Sequence, residues 1–481
     1  MKPLLVVDNP KRWPLELPGT EIVSSYAYLS DLDLANGRGR KVFNLCRSFK
    51  YQAAGYYVSL LAEARGHRPL PSVATIQDLR LAPVMKIVSE DLEELIQSNL
   101  KRIKSDTFEL SIYFGHNLAK GHDRLALALF NAFPAPLLRA KFERKDVWTM
   151  DSIRVIGVGE VSDSHRPFIV EQAKRYLKRT PRKSKASAPT RFDLAILHDP
   201  NDPMPPSELG ALRKFIDAGE SLGMSCELIQ KDMYGRIAEY DALFIRETTS
   251  VNHHTYRIAR RAEAAGMVVI DDPKSIMRCT NKVYLAESLA RHRLATPRTL
   301  VLNKDNALLG LRSLGFPCVL KLPDSAFSAG VRRAEDEADA KDKLEEFFEH
   351  SDLLVAQEYV PTDFDWRIGV LGGKPLFACR YGMAPEHWQI VKHDDDGVQQ
   401  GDSETMLVED APQDVLKLAV RAADLMGDGL YGVDLKIVRG KPVVIEVNDN
   451  PNIDVGVEDE ALGDDLYRLV MQHFFWKLES R

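Results

Sequence analysis

The sequence predicts an α/β protein, and three observations carry that reading. From Phe192 onward, short apolar runs alternate with helical stretches: FDLAILHD, Cys226–Ile229, Ala242–Ile245 and Met267–Ile270 read as strands, the pattern of a parallel sheet. Beyond residue 360 the apolar runs come in pairs around short glycine turns, which marks antiparallel hairpins. The length of 481 residues accommodates roughly three domains of ~150 residues. The expected divisions are a mixed α/β domain at 1–174, a linker at 175–191, a small parallel α/β domain at 192–276 and a last domain at 277–481.

Composition narrows the function classes. An apolar fraction of 44% and a charged fraction of 28% are those of a globular chain with a full core. A net charge of −6 gives no general attraction to nucleic acid or to an anionic membrane. Five cysteines, Cys46, Cys226, Cys279, Cys318 and Cys379, are scattered and form no CxxC pair. Structural zinc and a disulfide framework are therefore not expected, and a reducing cytoplasm fits. MKPLLVVDNPKRW is too short an apolar run for a signal peptide, and no stretch reaches the ~18 apolar residues of a membrane helix.

Taken in order, Leu4–Val7 reads as a buried strand and Tyr51–Arg65 as a helix ending at Gly66. Leu110–Phe114, a helix near Asp123–Phe133 and a strand Arg154–Val158 complete the first domain. KRYLKRTPRKSKASAPTR is basic, proline-bearing and without apolar period, hence a linker. Ser207 reads as the N-cap of a helix running to about Leu222. Asn252–Ala265 reads as a helix closed by Gly266, and Asn281–Arg291 as another, carrying Lys282. Phe316–Leu322 is a strand bearing Lys321, followed by the loop PDSAFSAG to Gly330. Helix Asp339–Phe348 leads to the strand Leu353–Val360, and Arg367–Leu371 with Pro375–Tyr381 forms a hairpin turning at Gly372-Gly373. After helix Pro412–Met426 come strands Val433–Val438 and Pro442–Val447, then an acidic stretch and an aromatic-rich C-terminal helix. No internal repeat is legible.

The last hairpin carries Asp434, Glu446 and Asn448. With a three-residue loop Arg439-Gly440-Lys441, Asp434 lies opposite Glu446, and Asn448 shares their face. Two carboxylates and an amide oxygen so placed form part of a shell for a hard cation. A two-residue loop at Arg439-Gly440 would oppose Asp434 to Ile445 and turn Glu446 away, leaving an ordinary hairpin, so the metal reading demands the odd-length loop. Lys321 is a lone charge in an apolar strand, which is costly unless an anion meets it. Ser325, Ser328 and Gly330 can aim hydroxyls and backbone N–H groups at phosphates, and Gln357-Glu358-Tyr359-Val360 offers backbone edges and an apolar slot. Each feature has a plain alternative: a snorkelling Lys282, a Lys321–Asp pair, a serine-rich turn.

The order Asn281-Lys282, VLKL with Lys321, a small-residue loop ending Gly330-Val331, QEYV, Asp365-Trp366-Arg367, Arg380, Asp434 and EVNDNPNI resembles the ATP-grasp superfamily and, within it, the RimK-like branch of glutamate ligases and glutathione synthetase relatives. The resemblance covers Phe192–Arg481. It implies an ATP-grasp fold, two α+β lobes clasping ATP, preceded by a small parallel pre-grasp domain. The segment before Lys174 resembles an accessory domain that precedes some RimK-like ligases.

By that resemblance Lys282 and Lys321 contact ATP phosphates, with Ser325, Ser328 and Gly330 in the phosphate loop. Gln357, Glu358, Tyr359 and Val360 receive adenine, and Asp365 holds the ribose. Asp434, Glu446 and Asn448 ligate Mg²⁺, usually two ions, with Mn²⁺ as an alternative. Arg380 sits near the transferred phosphate, with Arg367 as helper. Arg380, Trp388, Gln389 and Lys392 border the acyl substrate. The implied reaction joins a carboxylic acid to an amine, an amino acid in most relatives, through an acyl phosphate, with ATP converted to ADP and phosphate. A peptide or protein acceptor is the alternative substrate, and a nucleotide-binding regulator without turnover is the non-enzymatic alternative. Relatives are often homo-oligomers. Two departures stand out: the phosphate loop has one glycine, and His387–Gly397 carries Val391 and Asp394-Asp395-Asp396-Gly397 where relatives often carry Asn and Gly-Gly.

Overall fold

The computed structural model describes every residue except 1, 16, 18, 32, 37–38, 179–189, 232, 234–236, 238, 325–329, 385–387, 389, 395–396 and 481; the side chains of 35, 83, 87, 91, 178, 391–394 and 397–400 also lie outside the described set. The chain divides into two compact units, Met1–Lys183 with Asp232–Glu239, and Ser184–Lys231 with Tyr240–Arg481.

The first unit pairs a parallel sheet with an antiparallel one. Strands β1 (Leu4–Val7), β2 (Glu21–Ser24), β3 (Lys41–Asn44) and β4 (Arg68–Leu70) lie in the order β2-β1-β3-β4, all parallel. β1 is apolar at every position because both its faces are covered. Leu5 and Val7 join one core with Phe43 and Phe130, while Leu4 and Val6 join another with Val58 and Ala62 of the helix Ala54–Ala64. Strands β5 (Thr107–Tyr113), β6 (Leu137–Arg144) and β7 (Trp148–Val155) form the antiparallel sheet. One of its faces packs on the helix Asp123–Ala132 through Leu110, Ile112, Leu138 and Phe142. The helix Arg166–Lys178 runs past the expected start of the linker, because Ile169, Ala173 and Tyr176 bury into the same core. Most of the remaining linker lies outside the described residues.

The second unit begins with a parallel sheet of β8 (Phe192–Leu197), β9 (Met224–Ile229), β10 (Ala242–Ile245) and β11 (Val268–Ile270), in the order β11-β10-β8-β9. Helices Leu209–Ser221 and Asp464–Glu479 cover one face through Phe215, Tyr467 and Phe474. Ser207 is not the N-cap of its helix. Glu208 holds that position, and the Ser207 hydroxyl instead donates to the Ile453 carbonyl at 2.7 Å.

Two antiparallel lobes follow. Strands β12 (Thr299–Leu302), β13 (Cys318–Lys321), β14 (Val331–Ala334) and β15 (Leu354–Glu358) form the first, ordered β12-β15-β13-β14 and backed by helices Ala307–Leu314 and Glu337–His350. Strands β16 (Phe364–Leu371) and β17 (Lys374–Gly382) open the second; β18 (Val391–Asp394) and β19 (Gly397–Gln400) form a small separate hairpin. β20 (Ser403–Met406), β21 (Leu430–Val438) and β22 (Lys441–Asp449) complete a sheet ordered β20-β17-β16-β21-β22. Trp366, Ile368, Val433 and Leu435 point from it into the core against Val415, Ala419 and Ala422 of the helix Gln413–Ala423. The opposite face of this sheet is free to carry polar groups. This is the arrangement that the resemblance implied, two α+β lobes after a parallel domain.

Candidate functional site

The polar face of the second lobe is set by one irregularity. β21 and β22 turn at Arg439-Gly440, both with positive φ (49° and 76°), and Val438 pairs with Lys441. The loop therefore has two residues, not the three the sequence reading required. Two left-handed residues make the tight turn that matches strand twist. Left alone, that register would face Asp434 with Ile445. The ladder slips between Asp434 and Leu435 instead: Leu435 pairs with Val444 and Asp434 with Glu446, leaving Ile445 as an extra residue. This β-bulge restores the opposition of Asp434 and Glu446, and both Ile445 and Glu446 line the cleft. Asn448 pairs with Gly432, a position where a Cβ would come within 2.8 Å of Pro451.

The acids on this face are paired with cations. Arg367, opposite Asp434 on β16, grips both its oxygens from Nε and Nη2 at 2.7 and 2.8 Å. Asn448 Nδ2 donates to the same carboxylate at 3.1 Å. Lys282 Nζ lies 2.9 Å from Glu446 Oε1. Burial would raise the Glu446 carboxyl, but Lys282 and Lys321 outweigh it and hold it below its usual value.

The first lobe faces this sheet across a cleft of about 440 Å³. Lys321 ends β13 with its Nζ 2.8 Å from Gln357 Oε1, and Gln357 Nε2 donates to Thr299 at 3.0 Å. Burial pushes the Lys321 ammonium down to about 8. Asn281 caps the helix that begins at Lys282, and the Lys282 backbone N–H donates to Pro323 O at 2.9 Å. That bond ties the lysine to the loop leaving β13. Glu358, Tyr359 and Val360 line the cleft beside Ile445. The Tyr359 and Trp388 rings meet edge to face, 5.9 Å apart. Asp365 is paired at 2.6 Å with Lys436, and burial raises its carboxyl despite that lysine.

The parallel sheet closes the far end. Its strand order reverses direction between β8 and β10, the position where parallel sheets open a crevice at their carboxyl ends. Arg246 follows β10, is fully buried and reaches the turn after β22. It donates to Asn450 Oδ1 at 2.7 Å and Pro451 O at 2.8 Å, and also to Pro206 O and Ser207. Thr249 donates to Asp449 at 2.7 Å. Burial pushes the Asp449 carboxyl up to about 7, and buried Asp271 is driven well above its usual value by burial and by Asp449. Tyr381 donates to buried Glu458, and both line the cleft.

Lys282, Lys321, Gln357, Glu358, Tyr359, Val360, Asp365, Arg367, Trp388, Asp434, Glu446 and Asn448 are thus brought to one cleft. Arg380 is not. It pairs with Trp366 on the opposite face of the sheet, stacks on that ring at 4.7 Å and reaches Glu404 at 3.3 Å. The next residue, Tyr381, occupies the cleft face, since neighbours on a strand point to opposite sides. Gly330 ends the loop, its carbonyl accepting from Leu322 N at 2.8 Å. Ser325, Ser328 and Gln389, and the Lys392 side chain, lie outside the described residues. Lys436, Arg246, Tyr381, Glu458 and Thr249 join the site without having been singled out in the sequence. Lys436 and Arg246 share part of the signal that marked Lys321, a charge in or just after an apolar strand, but neither is alone: Asp434 lies in the strand of Lys436 and Glu247 follows Arg246.

The chain is similar to several known proteins. A family profile described as "RimK-like ATPgrasp N-terminal domain" matches residues 25–172. A probable alpha-L-glutamate ligase 2 of Shewanella frigidimarina (strain NCIMB 400) is 30% identical over 232 residues, 47% of this chain and 75% of that protein. A probable alpha-L-glutamate ligase of Marinomonas sp. (strain MWYL1) is 26% identical over 284 residues, 55% of this chain and 91% of that protein. Among solved structures, D-alanine–D-alanine ligase from Bacillus anthracis complexed with ATP gives a TM-score of 0.48 at 17% identity, covering 61% of this chain and 99% of that one. A RimK domain ATP-grasp protein from Sphaerobacter thermophilus DSM 20745 gives 0.45 at 18%, covering 58% and 98%.

Proposed function

This chain belongs to the RimK-like ATP-grasp family of alpha-L-glutamate ligases, ATP-dependent enzymes that form carbon–nitrogen bonds, and from that premise we propose that its cleft joins an amino acid to the carboxylate of a small molecule or peptide through an acyl phosphate. One observation carries the reading. Lys282 and Lys321 meet the acids Asp434 and Glu446 in a single cleft, with Glu358, Tyr359 and Val360 at its side. Triphosphate charge needs such cations, and an apolar edge beside backbone groups suits a base.

Among the described residues no three His, Cys, Asp or Glu side chains gather as a metal set. The set proposed here is two carboxylates and an amide, Asp434, Glu446 and Asn448. That suits Mg²⁺, which takes few protein oxygens and keeps other positions for phosphate and water. An ion held there would offset phosphate charge as it develops.

The chain's own groups do the rest. Lys321, poor in water, favours a phosphate oxygen over its present amide partner. Arg367 is bound to Asp434, and ligation of that carboxylate would release the guanidinium toward the transferred phosphate. Such a positioned donor lowers a barrier by about 3–4 kcal/mol. The acceptor carboxylate attacks the γ-phosphorus and ADP departs. The amine then attacks the acyl carbon, releasing phosphate and giving up a proton. Tyr381, Trp388 and the Thr249 loop border the space left for acid and amine.

ADP release by the purified enzyme should require ATP, Mg²⁺, a carboxylic acid and an amine together. Release that ignores every acid and amine pair would sink the reading. The part of the chain outside the ligase relatives favours a second reading, in which the acceptor is a protein. Mass spectra of cell proteins with and without the enzyme decide between the two acceptors: added amino-acid mass on a protein supports the second.

A further inference from the structure

The two units share one plan. In each, a four-stranded parallel sheet has its first strand flanked by the second and third, with the fourth outside the third: β2-β1-β3-β4 and β9-β8-β10-β11. The helix after the third strand is Ala54–Ala64 in one and His254–Ala264 in the other. Gly66 and Gly266 close these helices at φ 67° and 74°. His67 N donates to Ala62 O at 2.8 Å, and Met267 N to Ala262 O at 3.0 Å. The buried positions also coincide: Gly55, Val58, Ser59 and Ala62 against Thr255, Ile258, Ala259 and Ala262. Strand β4 begins at Arg68 and β11 at Val268. The next helices are capped by Ser72 and Asp272, and the following ones are Ala82–Asp91 and Lys282–Arg291.

The correspondence continues through the second sheet. β5-β6-β7 matches β16-β21-β22. Glu109 pairs with Lys141 as Arg367 pairs with Asp434, and Ser111 with Arg139 as Gly369 with Gly432. Lys141 pairs with Ser152, after which the ladder slips and Phe142 meets Met150. Asp434 pairs with Glu446, after which Leu435 meets Val444. The bulge recurs at the same rung, with Asp151 in the place of Ile445. The inner faces match too. Leu110, Ile112, Ala140 and Phe142 pack on the helix Asp123–Ala132 as Ile368, Val370, Val433 and Leu435 pack on Gln413–Ala423. A helix ends each unit, Arg166–Lys178 and Asp464–Glu479.

The chemistry does not recur. Lys282 corresponds to Ala82, Asp434 to Lys141, Glu446 to Ser152, Asn448 to Arg154 and Arg367 to Glu109. Among the described residues the chain from β4 to β5 is helical, through Val73–Asp78, Ala82–Asp91 and Glu93–Leu100, where the second unit places the lobe carrying Lys321. Lys141 pairs with Glu143 at 3.0 Å and Arg154 with Glu160 at 2.6 Å, so side-chain ion pairs fill the face that bears the proposed metal ligands in the second unit.

We infer that the N-terminal unit is a second copy of the ligase framework that has no nucleotide lobe and none of the phosphate or metal contacts, so that it is a non-catalytic partner domain and each chain holds one nucleotide. The loss of contacts rests on the ligase reading of the other cleft; the repeat itself does not.

Two measurements test it. Equilibrium dialysis of the full chain with a non-hydrolysable ATP analogue and Mg²⁺ should find one nucleotide per chain. Lys141→Ala with Arg154→Ala should leave that number and affinity unchanged, while Lys321→Ala with Asp434→Asn should weaken it at least tenfold. A second nucleotide per chain, or affinity untouched by the Lys321 and Asp434 changes, overturns the inference. Binding of no nucleotide overturns the ligase reading instead. The repeat is tested by replacing residues 254–264 with the Ala54–Ala64 sequence, in register or displaced by two positions. The in-register graft should retain a cooperative unfolding transition that the displaced graft loses. Equal behaviour of the two grafts would show that the helices are not equivalent.

Discussion

Burial at the end of β13 holds the Lys321 ammonium down to about 8, and that fixes the sign of a pH effect. In the free enzyme the lysine loses its proton as pH climbs through that value. A bound triphosphate favours the charged form, so binding above it takes up a proton and affinity falls as pH rises. One proton corresponds to about tenfold per pH unit. ATP binding measured from pH 7 to 10 should weaken above about 8, and Lys321→Arg should flatten the profile. Arg246 makes a structural prediction of the same grain. Its guanidinium serves Asn450, Pro451, Pro206 and Ser207 from full burial, and bonds from a charged donor contribute about 1.5–3 kcal/mol each when the acceptors cannot reach water. Arg246→Ala should cost on the order of 3–5 kcal/mol in urea unfolding and raise the Mg²⁺ requirement, because the held turn follows Asn448. Lys321 was legible in the sequence as a charge whose surroundings demand an anion, and Lys282 through its place in the order of motifs. Arg246 and Lys436 carry part of the Lys321 mark, but their partners, Asn450 and Asp365, come near only in the fold.

At the level of elements, most of the longer strands and helices from Phe192 on were legible because apolar period and glycine stops agree there. Strands β2, β3, β4, β6, β12, β14, β18, β19 and β20 were not, nor were the helices Pro273–Thr280 and Ala307–Leu314. Several are short, and β6 (LLRAKFER) hides its alternation among long basic residues whose stems cover apolar surface. The bulge beside Asp434 was not legible either, since nothing in the residue types of Ile445 and Glu446 announces a slipped ladder. In the intact chain it absorbs the residue that would otherwise part the two acids. Deleting Ile445 should regularise the ladder and leave Glu446 opposite Asp434 across the same two-residue turn, so Mg²⁺-dependent nucleotide binding should survive, with folding retained by circular dichroism. Loss of binding in a folded deletion variant would show that the extra residue does more than set the register. Arg380 shows the same rule from the other side: a motif located it to within one residue, and one residue along a strand is a change of face.

At the level of the molecule, two compact units flank a stretch whose sequence, RTPRKSKASAPTR, offers basic cleavage sites and prolines but no apolar period. Brief trypsin treatment should cut there first and leave two resistant fragments, one ending and one beginning in that stretch; earlier cuts elsewhere would contradict the division. The repeat escaped the sequence because the two copies share burial rather than residue identity. Val58 and Ile258, or Ser59 and Ala259, fill equivalent places with different atoms, and cores accept such exchanges when volume and pattern are kept. The recurring slip in both antiparallel sheets then has a meaning for how such chains can vary. What the site needs from the hairpin is that the acid on one strand arrive opposite the acid on the other. A tight turn with one extra residue in the strand satisfies it, and a turn longer by one with a regular ladder satisfies it equally. Loop length at the tip and regularity of the ladder can therefore each change while the two acids stay opposed, so the spacing from Asp434 to Glu446 along the chain is a weaker signature of the site than the face on which both arrive.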